Sequence, residues 1–303
     1  MIAAVVSLSA GNELACSLAD RIGCDYGVAS VHEFPDGETG VRIDPALAEG
    51  SVLVVASLNA PNPKIIPLLF LSRVLRDYGA ERVLLAAPYL AYMRQDTRFR
   101  EGEGISAGYF ADLVSAHFDG LVTVDTHLHR IRNLDEIYRI PALNVHAAPA
   151  VAEWVIRNVN QPLLIGPDSE SEQWVAEAAG FSDMPWMVLE KIRRGDEDVE
   201  VSIPDAEPWR AHTPVLVDDI ISTGGSMAAI IRHLQRAGMK PPVCVAVHGI
   251  FAGNAEEELI RAGASHIATT NTVEHTTNEI DISAVLLEGI YRLPKICTTG
   301  EGK

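Results

Sequence analysis

An α/β protein of two domains, each a mostly parallel sheet flanked by helices, is predicted by three features of the sequence. Apolar, β-branched runs recur at Val52 to Ala56, Arg82 to Ala87, Gly120 to Val124, Leu163 to Gly166, Val215 to Val217, Val243 to Val247 and His266 to Thr269. Helix-like stretches separate them, which is the rhythm of βα units. The 303-residue length is that of two ordinary domains.

Short continuous apolar runs mark strands covered on both faces. Between them, Pro63 to Tyr78 carries Ile66, Leu69, Phe70, Val74 and Leu75 at helical spacing and is predicted to be a crossover helix. One series of elements ends near Asn144 and the next begins near Ala147 to Val159, with no low-complexity linker between. Domain boundaries of 1–145 and 146–303 follow. The halves share a rhythm without a strong residue-level repeat. Ile282 to Arg292 has helical periodicity and is expected to cross back onto the first domain.

Composition narrows the class. With 48% hydrophobic and 21% charged residues, the chain can bury a sizeable core. A formal charge of −17 repels a polyanionic backbone, so nucleic acid is not an expected partner. The longest apolar runs, Ser51 to Ala56 and Val83 to Ala87, are strands and not bilayer spans, so no membrane association is expected. The N-terminus lacks the basic flank and cleavage pattern of a secretory signal, and a cytoplasmic location is the expectation. Cys16, Cys24, Cys244 and Cys297 are scattered without metal-type pairing and read as reduced packing residues.

The most informative segment is Thr213 to Arg232: a hydrophobic strand, the paired acids Asp218 and Asp219, a small-residue turn, then an amphipathic helix starting near Ser226. Gly224 and Gly225 permit backbone angles and close approach that side chains would block, so successive N–H groups can converge on one anion. Ser222, Thr223 and Ser226 add hydroxyl donors, and the helix offers its positive end. A monophosphate fits such a site. Asp218 and Asp219 would repel it, so they face a ribose diol or a hydrated magnesium ion. The structural alternative is a capped helix after an ordinary Gly-Gly turn.

Val215 to Met227 resembles the phosphoribosyl diphosphate (PRPP) loop shared by type I phosphoribosyltransferases and ribose-phosphate diphosphokinases. Three more segments resemble the diphosphokinases. His32 to Glu38, followed by Val41-Arg42-Ile43, is similar to an ATP-contacting element often supplied across a subunit interface; it places Phe34, Asp36, Gly37 and Glu38 at ATP. Ala87 to Asp96 resembles the family's Pro-Tyr-x-x-Tyr-x-Arg-Gln-Asp run and implies that Arg94, Gln95 and Asp96 bind ATP, Arg94 with a planar cationic fork for phosphate oxygens. Val188 to Asp196 resembles the Lys-x-Arg at the base of a catalytic loop and implies Lys191 and Arg193 as catalytic cations, on one face if the segment is extended.

The resemblance also implies two metal positions, His127 of Val124-Asp125-Thr126-His127, with His129 as a competitor, and Asp168 of Gly166-Pro167-Asp168. Magnesium prefers oxygen, which favours Asp168. It extends over nearly the whole chain, from Gly11-Asn12 to Gly253-Asn254-Ala255 and Thr269 to Val273. Two departures stand out: Glu170 and Glu172 follow Asp168, and Glu101 and Glu103 replace expected basic residues after Asp96.

What the resemblance implies is a fold of two phosphoribosyltransferase type I-like domains. Its activity would be transfer of a diphosphoryl group from magnesium ATP to O1 of ribose 5-phosphate, in a homo-oligomer, dimer or hexamer. A PRPP-consuming nucleobase phosphoribosyltransferase and a catalytically silent regulatory relative are the alternatives.

Overall fold

The computed structural model describes residues 1–303 except 10, 127, 129, 169, 170, 182, 194–198, 203–206 and 295–303, and for 173, 190–193 and 199–202 the backbone alone. The chain divides into two compact units: Met1–Val145 with the segment from Ser283 onward, and His146–Ile282.

The first unit opens with β1 (Ile2–Ser7), α1 (Glu13–Ile22) and β2 (Asp25–Val28). Asn12 caps α1 by accepting the Ala15 amide at 3.0 Å, and Gly23 ends it with a left-handed φ of 74°. An antiparallel hairpin follows, β3 (Ser30–Glu33) with β4 (Thr39–Arg42). Then come β5 (Gly50–Val55), α2 (Asn62–Asp77), β6 (Ala80–Ala87), α3 (Ser106–His117), β7 (Gly120–Val124) and β8 (Ala142–Val145). The sheet order is β2-β1-β5-β6-β7-β8, parallel throughout. Val52 to Val55 and Val83 to Ala87 are buried, because helices cover both faces of a parallel sheet. The helix α2 buries Leu68, Leu71 and Leu75 but leaves Ile66 and Phe70 exposed, so the apolar stripe in its sequence is broader than the face that packs on the sheet.

The second unit holds α4 (Ala148–Asn158), β9 (Pro162–Gly166), α5 (Glu172–Gly180) and β10 (Trp186–Val188). Next is a hairpin, β11 (Glu190–Arg193) with β12 (Val199–Ser202). The rest is β13 (Thr213–Ile221), α6 (Gly225–Arg236), β14 (Val243–Gly249), α7 (Ala255–Ala262), β15 (His266–Thr270) and β16 (Asn278–Ile280). This sheet too is parallel, in the order β10-β9-β13-β14-β15-β16. Strand for strand it repeats the order of the first sheet. The repeat is one of topology, which explains why no residue-level repeat is visible.

The helix after each sheet's last strand packs within the other unit. After β8, α4 lies against α5 and β16. After β16, α8 (Ser283–Arg292) lies against α1, β7 and β8. A Cβ at Gly289 of α8 would come within 2.6 Å of Val145 and 2.9 Å of Val122, so a glycine is required for this approach. Cys244 is buried in β14, its thiol pushed up to about 12 by burial, while Cys16 and Cys24 are free and half-buried. Among the described residues no helix is long and apolar enough to cross a membrane.

Candidate active site

In the second unit the chain builds β9 and β10 to one side and β13 to β16 to the other, so the direction of winding reverses between β9 and β13. Open parallel sheets bind ligands beyond the carboxyl ends of the strands at such a reversal. The segments after both strands carry predicted residues: Asp168 follows β9, and the glycine loop follows β13.

Strand β13 continues past Val217 through Asp218 and Asp219, because its neighbour β14 supplies ladder partners as far as Ile221 opposite Gly249. The helix α6 begins at Gly225. Gly224 has a left-handed backbone, φ 76°, and an added Cβ would lie 3.3 Å from the Ala255 carbonyl oxygen and 3.4 Å from the Ala255 Cβ. Conformation and closeness thus both demand glycine there. Gly225 has no such backbone angle; nothing lies within 4 Å of its Cβ position, and the missing side chain leaves the start of the helix uncovered.

Thr223, Gly225 and Ser226 are exposed, with Ser222 and Gly224 half-buried. The carbonyls on this loop are used internally: Ile221 accepts the amides of Ile250 and Phe251 at 3.0 and 3.1 Å, Ser222 accepts Ala252 at 2.9 Å, and Gly224 accepts Ala228 at 2.8 Å. The amides of Thr223, Gly224, Gly225 and Ser226 donate to no acceptor among the described residues. Unpaired amides at the first turn of a helix form an anion site.

The acid pair sits at the end of β13. Asp218 is half-buried, and its carboxyl is pushed up to about 8, first by burial, then by the charge of Asp219 and, to a smaller extent, that of Asp168. Its Oδ1 accepts the Asp219 amide at 3.0 Å. Asp168 is held by Ser171, whose hydroxyl donates to the Asp168 carbonyl at 2.6 Å. That hydroxyl lies 2.3 Å from where a Gly166 Cβ would be, so the Gly-Pro-Asp sequence needs its glycine. Among the described residues no group of three His, Cys, Asp or Glu side chains is arranged to hold a metal alone. Magnesium fits the donor set nonetheless: it takes one or two carboxylates together with substrate phosphates and water, and the repulsion of Asp218 by Asp219 and Asp168 favours a cation. Glu172 opens α5, whereas Glu170 lies outside the described residues.

Lys191 and Arg193 lie two positions apart in β11, opposite Val201 and Val199 of β12. Just before that strand, Leu189 is buried and its amide donates to the Gly166 carbonyl at 3.0 Å, tying the base of the hairpin to the end of β9.

In the first unit, Phe34 to Glu38 form the tip of the β3–β4 hairpin. The Phe34 amide donates to the Glu38 carbonyl and the Gly37 amide to the Phe34 carbonyl, both at 2.8 Å; Gly37 takes φ 87°, and Asp36 accepts the Glu38 amide at 3.2 Å. The Phe34 ring is 46% exposed, edge-on to His32. Arg94 is exposed and Gln95 half-buried, the latter within 3.4 Å of Glu103 and of Ser106. Asp96 is committed within the chain: its side chain is 4% exposed and accepts the Arg130 backbone amide at 3.1 Å and guanidinium at 2.9 Å. The departure at Glu103 is structural, since its carboxylate also accepts the Phe99 and Arg100 amides, each at 3.0 Å.

His127 and His129 lie outside the described residues. Asp125 beside them is buried, with a left-handed φ of 35°; the Thr126 amide donates to Asn144 at 2.8 Å. The only sequence signal for Asp125 is a single acid directly after the largely apolar strand β7. Ile250 to Ala252 contribute through backbone amides, which leave no side-chain signature in the sequence.

Residues 3–117 match the family described as the N-terminal domain of ribose phosphate pyrophosphokinase, and residues 133–283 match the phosphoribosyl transferase domain. A ribose-phosphate pyrophosphokinase from Methanopyrus kandleri is 32% identical over 292 residues, 95% of this chain and 99% of the relative. One from Methanothermobacter thermautotrophicus is 32% identical over 94% of this chain and 98% of its own. Among solved structures, a phosphoribosylpyrophosphate synthetase from Mycobacterium smegmatis shares the fold, with a TM-score of 0.80 over 96% of this chain and 98% of that one at 24% identity. Relatives this similar, over their full lengths and over both α/β units, place the chain in the ribose-phosphate pyrophosphokinase family.

Proposed function

We propose that the protein transfers the diphosphoryl group of magnesium ATP to O1 of ribose 5-phosphate, giving PRPP and AMP. The observation that carries this reading is the row of unpaired amides from Thr223 to Ser226 beside a half-buried acid pair, at the point where the sheet reverses its winding. Those amides and hydroxyls hold the 5-phosphate, and Asp218 with Asp219 orient the ribose diol. The O1 hydroxyl attacks the β-phosphorus and gives up its proton to solvent, the bond from that phosphorus to the α–β bridging oxygen breaks, and AMP departs. Such chemistry needs positioning and charge neutralisation, with no covalent protein intermediate. Lys191 and Arg193 stabilise charge growing on the bridging oxygen and the diphosphoryl group. Phe34, Asp36, Gly37, Glu38, Arg94 and Gln95 serve ATP, with Asp96 holding the chain around Arg130. Asp168 and His127 would hold magnesium, which supplies neutralisation of the polyphosphate oxygens when bound.

The exposed Phe34 hairpin supports assembly into a dimer or hexamer in which it reaches a neighbouring copy, and free cysteines support a cytoplasmic setting. The test is AMP release from magnesium ATP with and without ribose 5-phosphate. AMP formation that requires both substrates is expected. PRPP consumption in the presence of a nucleobase, without AMP formation from ATP, would replace this reading with a nucleobase phosphoribosyltransferase. Failure of both would leave a silent relative.

A further inference from the structure

The orientation of the phosphate loop is decided outside the loop. A planar trans peptide sets each carbonyl antiparallel to the N–H that follows it. The Ile250, Phe251 and Ala252 amides engage the Ile221 and Ser222 carbonyls. They therefore turn the Ser222 and Thr223 N–H groups away from the 250–252 segment. For its three amides to reach two successive carbonyls, this segment bends at Phe251, whose φ of 45° is left-handed. A residue with a side chain keeps that conformation only when its surroundings hold it.

Two neighbours hold it. Gly249 gives the ring room, since a Cβ there would lie 2.7 Å from the Phe251 Cε2. On another side the ring stacks on His275, with centroids 4.2 Å apart and planes 28° from parallel. His275 is anchored in turn: its amide donates to Asn278 at 2.9 Å, its Nδ1 is 3.0 Å from the Thr277 hydroxyl, and its Nε2 is 3.7 Å from Glu256 in the first turn of α7.

We propose that the stacking of His275 on Phe251 is a positioning device for the anion-binding loop, holding Phe251 in its left-handed conformation so that the loop amides stay aimed at the 5-phosphate. The inference deepens the reading of Thr223 to Ser226 as a ribose 5-phosphate site and rests on it. His275 touches no substrate in this scheme, and its imidazole acts as a flat surface.

The test compares the full-length wild type, His275→Ala and His275→Phe by initial rates, by calorimetric binding of ribose 5-phosphate, and by thermal melting. His275→Ala should raise the KM and Kd for ribose 5-phosphate about tenfold, with kcat, KM for ATP and melting temperature nearly unchanged. His275→Phe, which keeps a stacking face, should restore both constants. Unchanged ribose 5-phosphate affinity in His275→Ala would overturn the proposal, as would an equal rise in KM for ATP, a loss of affinity that tracks a fall in melting temperature, or failure of His275→Phe to rescue. A wild type that binds ribose 5-phosphate but releases no AMP would sink the proposed reaction alone, because calorimetry still reads the loop. A wild type that binds no ribose 5-phosphate would overturn both.

Discussion

Replacing Asp218 by asparagine should stabilise the ligand-free protein while abolishing its activity, and the stabilisation should grow with pH. In the fold the carboxyl titrates at about 8, against an ordinary value of 3.8. A folded pKa above the unfolded one means that the folded state holds the proton more tightly. That contribution to stability is fully present below the unfolded pKa, is lost progressively as pH rises through the interval, and is gone above the folded pKa. Each pH unit inside the interval removes about 1.4 kcal/mol from the wild type relative to Asp218→Asn. Between about pH 6 and about pH 8 the gap should therefore widen by about 2 kcal/mol, after allowing for saturation near the folded pKa. The side chain is half-buried, so water at its outer edge makes this an upper figure. Urea titrations of metal-free wild type and Asp218→Asn across that range read the gap directly. Adding magnesium with ribose 5-phosphate should raise the wild-type midpoint more than that of the variant. A gap that stays constant with pH would refute the claim that this carboxylate is held away from water beside two others.

Three further outcomes are expected. Lys191→Ala should lower kcat by about a hundredfold or more while calorimetric affinity for ribose 5-phosphate stays within about twofold; an unchanged kcat removes Lys191 from the chemistry. Gly224→Ala forces a left-handed alanine against the Ala255 carbonyl and should cost about 1–2 kcal/mol in a denaturant titration, together with weaker ribose 5-phosphate binding. Wild-type affinity in that variant would mean that the loop amides are not the phosphate site. Arg94→Ala should raise the KM for ATP about tenfold without lowering the melting temperature, whereas Asp96→Ala, which strips the partner from Arg130, should lower the melting temperature as well.

The parts of the fold legible in the sequence are those where a single physical demand dominates. Strands β5, β6, β7, β9, β13, β14 and β15 are buried on both faces, and that demand writes continuous apolar runs. The hairpins β3–β4 and β11–β12 gave no such signal. In the first, β3 is exposed and β4 only half-buried; in the second, β11 is Glu-Lys-Ile-Arg and β12 Val-Glu-Val-Ser, only four positions per strand and without an apolar run. β13 outruns its apolar stretch because β14 offers it partners, and nothing in Asp218-Asp219 announces that. The turn at Gly224 was legible because a left-handed backbone and a close approach to Ala255 coincide there, and together they call for glycine. The contact of Asp96 with Arg130 was not, because the two residues are remote in sequence. Phe251 escaped notice because its effect passes through amides that every residue possesses.

The exchange of closing helices sets an order of events during synthesis. The amino-terminal sheet has all its strands once Val145 has left the ribosome, yet the helix that covers β7 and β8 is made only after the entire carboxyl-terminal sheet. Until α8 arrives with Gly289, Val122 and Val145 have an uncovered side. The half of the enzyme translated first is consequently finished last, and a nascent chain arrested before Ser283 should expose apolar surface to chaperones or to another unfinished copy.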